Sequence, residues 1–205
     1  MRRGLRNPEY GVRRARIRQA PLRFSIAALT ALLFLAGVRW ASAQTNTSSE
    51  YQVKAAFLFH FAQFVDWPPE AFKDAGAPLT YCTVGEDPFH GALDASMSGK
   101  TIDGRPVRVL HFKLSQEVQT CQILFLGAPE KKSLSATLVN LGESPVLTVG
   151  ESQDFIGQGG MIGFLWEDNK VHFEINLEAA ERAKLKISAR LLTLAKKVIG
   201  GPKGM

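Results

Sequence analysis

Ile123-Leu124-Phe125-Leu126, then Pro129, Leu134, Leu138, Leu141 and Gly142, then Val146-Leu147-Thr148-Val149, spell a strand, a helix and a second strand. The leucines repeat at helical spacing, Pro129 stands at a first helical position, and Gly142 closes the helix. This βαβ unit decides the fold, and its neighbours extend it. Residues 79–84 and 107–110 are two further short apolar runs upstream, giving a sheet covered by helices. Downstream, 159–166 and 170–175 are joined by Glu167-Asp168-Asn169 and read as an antiparallel hairpin in which Val171, Phe173 and Ile175 face one way. Asn176 is placed to cap a helix over 177–183. Ser188 is placed to cap a last helix that presents Leu191, Leu192, Ala195, Val198 and Ile199 to the core and ends at Gly200-Gly201-Pro202. The expected fold is α/β: a single domain with a mixed β-sheet covered by helices, ending in an antiparallel hairpin and helix.

Before the first strand, residues 51–66 show helical periodicity that stops at Trp67-Pro68-Pro69, where proline cannot continue a helix. On a 100° wheel Val53, Phe57, Phe61, Phe64 and Val65 fall on one side; Gln52, Gln63 and Asp66 fall on the other. Phe59 lies inside the polar arc and Trp67 near its edge, so either a second layer covers them or they are offered to a partner.

The first 43 residues differ in composition from the rest. Arg2, Arg3, Arg6, Arg13, Arg14, Arg16, Arg18 and Arg23 form a basic opening, residues 24–38 are an apolar run, and Ala41-Ser42-Ala43 offers small residues to a signal peptidase. Fifteen apolar residues fall short of the roughly 20 that a membrane-spanning helix needs. The sequence therefore predicts a signal peptide over 1–43, a polar tether over 44–50 and one domain over 51–200.

Removing the leader reverses the charge. It holds nine of the 25 Lys and Arg and one of the 19 acids, leaving sixteen basic and eighteen acidic residues, a net charge of −2. The basic pI belongs to the leader, and a nucleic-acid partner loses its main support. The two cysteines, Cys82 and Cys121, both lie in the exported part, and an even pair in an oxidising compartment reads as a disulfide.

No cofactor or catalytic constellation stands at its required spacing. Gly99-Lys100-Thr101 resembles the end of a phosphate-binding loop, but the earlier glycine is replaced by Asp94, so it reads as a polar turn. Gly150-Glu151-Ser152-Gln153-Asp154 begins like a nucleophile elbow without its closing glycine, and Ser152 reads as a helix cap before Phe155. Gly157-Gln158-Gly159-Gly160 reads as a bulged start of a strand, where glycine permits φ > 0 and close approach. His60, His90, His111 and His172 are dispersed; His172 and Glu174 share a strand face without a third ligand and read as a solvated cross-strand pair. A non-enzymatic protein is expected, with no metal and no cofactor.

An ordered set of residues resembles the YfiR/HmsC-like family. It runs Lys54-Ala55-Ala56-Phe57, Phe61, Phe64, Trp67-Pro68, Cys82, Gly85, Asp87-Pro88-Phe89, Cys121 and Ile123-Leu124-Phe125. It continues through Val146-Leu147-Thr148, Phe155, Gly159-Gly160-Met161-Ile162, Phe173, Ile175-Asn176, Leu185, Ile187-Ser188 and Leu191-Leu192. The resemblance implies a periplasmic regulator that binds the periplasmic part of an inner-membrane diguanylate cyclase and holds it inactive, so that cyclic di-GMP, exopolysaccharide and biofilm stay low. It also implies relief by an outer-membrane lipoprotein that sequesters the repressor, and family members often appear as dimers. Cys82 and Cys121 match the family's structural pair, while a second pair found in some members is missing here. A small-ligand pocket of the family maps near Lys186, Ser188 and Arg190, where a solvent-exposed helix start would explain the same polar residues. The competing expectation is a periplasmic binding module for a small ligand or cell-wall fragment that feeds another sensor.

Overall fold

The structure is a computed structural model, and it describes residues 41–113, 118–127 and 131–201. The first 40 residues of the 1–43 leader, Pro129 and the chain beyond 201 lie outside the described residues. The chain divides into two units between Ala43 and Gln44, and the sheets and the disulfide belong to the second.

The frame of this unit is an eight-stranded sheet. In chain order the elements are α1 (Ala41–Gln63), β1 (Val65–Asp66), a 3-10 turn (Pro69–Ala71), β2 (Leu79–Val84), α2 (Ala92–Met97), β3 (Thr101–Ile102), β4 (Arg105–Phe112), a 3-10 turn (Val118–Thr120), β5 (Ile123–Leu126) and α3 (Lys131–Leu141). They continue with β6 (Leu147–Gly150), β7 (Ile162–Glu167), β8 (Lys170–Asn176), α4 (Leu177–Arg182), β9 (Lys186–Ile187), α5 (Ala189–Leu194) and β10 (Lys197–Ile199). The large sheet runs β10-β8-β7-β6-β5-β2-β4-β3, and β1 pairs with β9 in a separate two-stranded ribbon. The pairs β4-β2, β2-β5, β5-β6, β6-β7 and β8-β10 are parallel, while β7-β8 and β3-β4 are antiparallel, so the sheet is mixed.

Every residue of β2, β5 and β6 is buried, because helices cover both faces and leave no solvent side for polar alternation. Alternate residues separate into two cores. Tyr81, Ile123 and Phe125 join the buried residues of α1, α2, α4 and α5, whereas Cys82, Val84, Leu124 and Leu126 join Leu134 and Leu141 of α3. The Cys82–Cys121 disulfide forms and lies in the second core, with both residues 1 % exposed.

The βαβ reading holds, with Gly142 at φ 53 closing α3 in the left-handed region. The hairpin is tighter than expected: Glu167 and Lys170 pair within the ladder, and only Asp168 and Asn169 turn, both at positive φ. Phe173 and Ile175 are buried and Val171 is half-buried, as the alternation predicts. Asn176 caps α4 by accepting from the Ala179 N–H at 3.0 Å while its Nδ2 donates to the Ile156 carbonyl at 2.9 Å. Asn176→Ala removes the cap and one of the two donors to the buried Ile156 carbonyl, which keeps the Gly159 N–H, so urea denaturation is expected to show a loss of about 2 kcal/mol.

Several expectations need correction. Helix α1 begins at Ala41 rather than Tyr51, so 44–50 is helical and not a loose tether, and it ends at Gln63 because Val65 and Asp66 become a strand. Its buried stripe is Lys54, Ala55, Leu58, Phe61 and Ala62, while Val53 is 43 % exposed, so the face is rotated towards the small residues that let the helix approach the sheet. The last helix stops at Leu194. Lys197–Ile199 is instead an edge strand paired with β8, which leaves Val198 38 % exposed rather than in the core. Ser152 caps no helix: among the described residues its buried hydroxyl has no hydrogen-bond partner, and its carbonyl accepts from the Phe155 N–H in a turn. That turn explains two glycines, since a Cβ at Gly150 or Gly160 would stand 2.2 or 2.1 Å from the Phe155 ring.

Candidate functional site

The ribbon β1-β9 brings together residues that lie about 120 positions apart. Val65 pairs with Ile187 and Asp66 with Lys186, and the Ser188 N–H donates to the Phe64 carbonyl at 2.9 Å. The Arg190 guanidinium stands 5.5 Å from the centroid of the Phe64 ring, a cation–π distance. Trp67 follows β1 directly. Four of the five residues singled out for partner or ligand contact, Trp67, Lys186, Ser188 and Arg190, therefore gather around one small ribbon.

Each is held differently. Lys186 and Arg190 are exposed. The Ser188 Oγ accepts from the Leu191 N–H at 3.3 Å, so the hydroxyl caps α5 as the sequence predicted. The half-buried Trp67 indole donates to the Gln122 carbonyl at 3.3 Å. Gln122, 5 % exposed, is a junction: its Oε1 accepts from the Thr80 N–H at 2.8 Å, its Nε2 donates to the Ala71 carbonyl at 2.6 Å, and its own carbonyl also accepts from Leu147. It ties Trp67 to β2, to β6 and to the first 3-10 turn.

Beside the ribbon lies a groove of about 350 Å³. Trp67, Phe72, Leu79 and Ile102 give it an apolar floor, and Asp66, Asp103 and Arg105 give it charged edges. Arg105 is fixed there by donating to the Asp74 and Ala77 carbonyls at 3.1 and 2.8 Å and by stacking 3.8 Å from the Phe72 ring centroid. Phe59 is not part of the ribbon. It is half-buried under the Lys100 ammonium, 4.1 Å from its ring centroid, and Lys100 immediately precedes β3, whose Ile102 lines the groove. A second layer thus covers Phe59 in part.

A model of the family described as YfiR/HmsC-like matches residues 51–196. The chain belongs to that family. A solved structure described as a conserved domain protein from Vibrio cholerae O1 biovar El Tor is similar over 58 % of this chain at 11 % identity, with a TM-score of 0.44. The chain spans about half of that structure, 54 % of its length, and so loose a likeness bears on neither fold nor function. Among the described residues no helix is long and apolar enough to cross a membrane.

In this YfiR/HmsC-like chain a second polar cluster locks α1 to the end of β6. Lys54, 3 % exposed, pairs with Glu151 at 2.5 Å and with Glu50, and the Tyr51 hydroxyl donates to Glu151 at 2.9 Å. Burial, and after it the Glu151 carboxylate, raises the Tyr51 phenol pKa far above its ordinary value, so the phenol stays a donor. Sequence reasoning missed Gln122, Arg105 and Glu151. Only Glu151 carried a signal, an acid directly after an apolar strand at the sheet's carboxyl end.

Proposed function

We propose that this protein is exported to the periplasm, loses its leader after Ala43, and binds and inhibits the periplasmic part of an inner-membrane diguanylate cyclase, lowering cyclic di-GMP and exopolysaccharide output. The contact surface in this reading is the β1-β9 ribbon with its groove. The observation that carries it is the gathering of Trp67, Lys186, Ser188 and Arg190 on one ribbon, an aromatic anchor beside a cationic rim. Interfaces draw most of their energy from such aromatic and arginine anchors. Phe59 contributes through the Lys100 side of the same groove. An outer-membrane lipoprotein that competes for this surface would relieve the inhibition, and a second copy of the chain is a further partner.

Deletion of the gene is expected to raise cyclic di-GMP, and the wild-type chain to restore it. Trp67→Ala is expected to weaken binding to the purified periplasmic cyclase domain about 30-fold, the scale of an interface hot spot, and Arg190→Glu to weaken it with the melting temperature unchanged. Unchanged cyclic di-GMP on deletion, or full affinity in both variants, refutes the reading. The groove itself favours one alternative, a periplasmic binding module for a small ligand or cell-wall fragment. Its volume of about 350 Å³ falls within the range of small-molecule sites. A ligand at 100 times its dissociation constant would then raise stability by about 2.7 kcal/mol in a thermal-shift screen.

A further inference from the structure

The far end of the sheet carries a cluster that the proposed function does not use. His111 is the penultimate residue of β4 and stands in register with Thr83 of β2. Thr83 is 1 % exposed, and its Oγ1 lies 2.7 Å from His111 Nδ1. On the other side of the ring, Nε2 is 3.0 and 3.3 Å from the two carboxylate oxygens of Asp94, which belongs to the first turn of α2. Asp87, in the loop after β2, is oriented by two backbone donors, Phe89 N–H to Oδ1 at 2.9 Å and Gly91 N–H to Oδ2 at 3.0 Å. One donor atom from each of Asp87, Asp94 and His111 lies within 4.8 Å of the others.

We propose that Asp87, Asp94 and His111 bind a divalent transition-metal ion, with zinc the best match, at the carboxyl ends of β2 and β4. Two like-charged carboxylates are held close together, and among the described residues neither forms an ion pair with Lys or Arg. A cation between them removes that repulsion. In the tautomer that carries its proton on Nδ1, the imidazole donates to the buried Thr83 oxygen as metal-bound histidines do to theirs, which fixes the ring and leaves the Nε2 lone pair directed at the ion. One imidazole with two carboxylates suits zinc and its neighbours rather than magnesium or calcium, which take oxygen ligands.

The spacing also fits. Around a tetrahedral zinc with bonds near 2.1 Å the ligand atoms stand roughly 3.4 Å apart. His111 and Asp94 already have about that separation, and Asp87, within 4.8 Å of both, has to close the remaining distance while its two backbone donors stay beside it. Since β4 and β5 depart to opposite sides of β2, the cluster also lies beside the sheet's topological switch point, where α/β sheets bind ligands. The side chains of His111 and Asp94 are 37 % and 49 % exposed, so the ion enters from solvent and exchanges.

The competing proton arrangement is a plain hydrogen-bonded pair, with Thr83 donating to Nδ1 and Nε2–H donating to Asp94. Calorimetric titration of the intact disulfide-bonded chain separates the two. Zinc chloride is expected to bind at one ion per chain, magnesium chloride to give no saturable heat, and cobalt(II) to give visible d–d absorption. His111→Ala should abolish zinc binding and the cobalt spectrum, while Asp94→Asn and Asp87→Asn, which keep side-chain volume, should each weaken zinc at least tenfold with unchanged circular dichroism. Absence of saturable zinc binding overturns the site. So does undiminished affinity in His111→Ala and Asp94→Asn, which would place the ion elsewhere, for instance at His172 and Glu174. Neither outcome touches the cyclase reading, whose tests use the ribbon at Trp67 and Arg190.

Discussion

Replacing Cys82 and Cys121 together by alanine is expected to lower the stability of this protein by about 4 kcal/mol. The bond spans 39 residues, and the loop-entropy relation for a closure of that size gives roughly that figure. A typical domain has roughly 5–15 kcal/mol in all. For a chain of this length the loss corresponds to a fall in Tm of about 8–16 °C. The position of the bridge adds to its effect, since it fastens the middle of β2 to the residue that precedes Gln122 and β5. Gln122 in turn holds the Trp67 indole, so if the proposed ribbon surface binds the cyclase, loosening this junction should also weaken that binding. Urea denaturation of the wild type and the double variant measures the loss of stability, and titration with the purified cyclase domain measures the loss of binding. The denaturant slope should rise in the variant, because its unfolded chain is no longer cross-linked and exposes more surface. A stability difference under about 1 kcal/mol would show that the bridge does not act on the unfolded chain in this way.

Lys54→Ala is the second large expected effect, a loss of about 3–5 kcal/mol. The Lys54 and Glu151 side chains are 4 % and 8 % exposed, so removing the ammonium takes the lysine counter-charge from a carboxylate that water hardly reaches, while the Tyr51 hydroxyl still donates to it. Glu50, at 18 %, can turn outward and recover solvent, which makes Glu151 the main source of the penalty. This predicts a strongly non-additive pair. Lys54→Met combined with Glu151→Leu replaces the buried ions by apolar groups of similar size and should recover most of the loss, as a double-mutant cycle in urea would show. Additive losses would mean that Lys54 acts through packing alone. Helix α1 should be the first element to loosen in Lys54→Ala, seen as faster amide exchange over 50–62 than in the β5-β6 core.

The elements that could be read directly in the sequence are those whose pattern is local. β5, α3 and β6 announce themselves by two apolar runs around a leucine repeat, the hairpin by alternation around an Asp-Asn turn, and α4 and α5 by Asn176 and Ser188 at their starts. The cysteine pair was legible because only two are present. What stayed hidden depends on partners far along the chain. A strand of two or three residues has no period of its own, so β1, β9 and β10 exist only where the fold brings a matching edge alongside. Lys54 was unreadable for the same reason: a lysine on a helix reads as solvated until its counter-charge, 97 residues away, is placed over it.

The candidate site shows the same division. Trp67, Lys186, Ser188 and Arg190 could each be picked out singly, but their common location follows from the ribbon, and Phe59 from its cover by Lys100. Periodicity, caps and turn chemistry act over a few residues, so the sequence alone determined the α/β layers, the hairpin and the family. Strand order beyond neighbours, the burial of Lys54 and the assembly of the ribbon depend on which distant segments meet, and only the packed tertiary structure decided them.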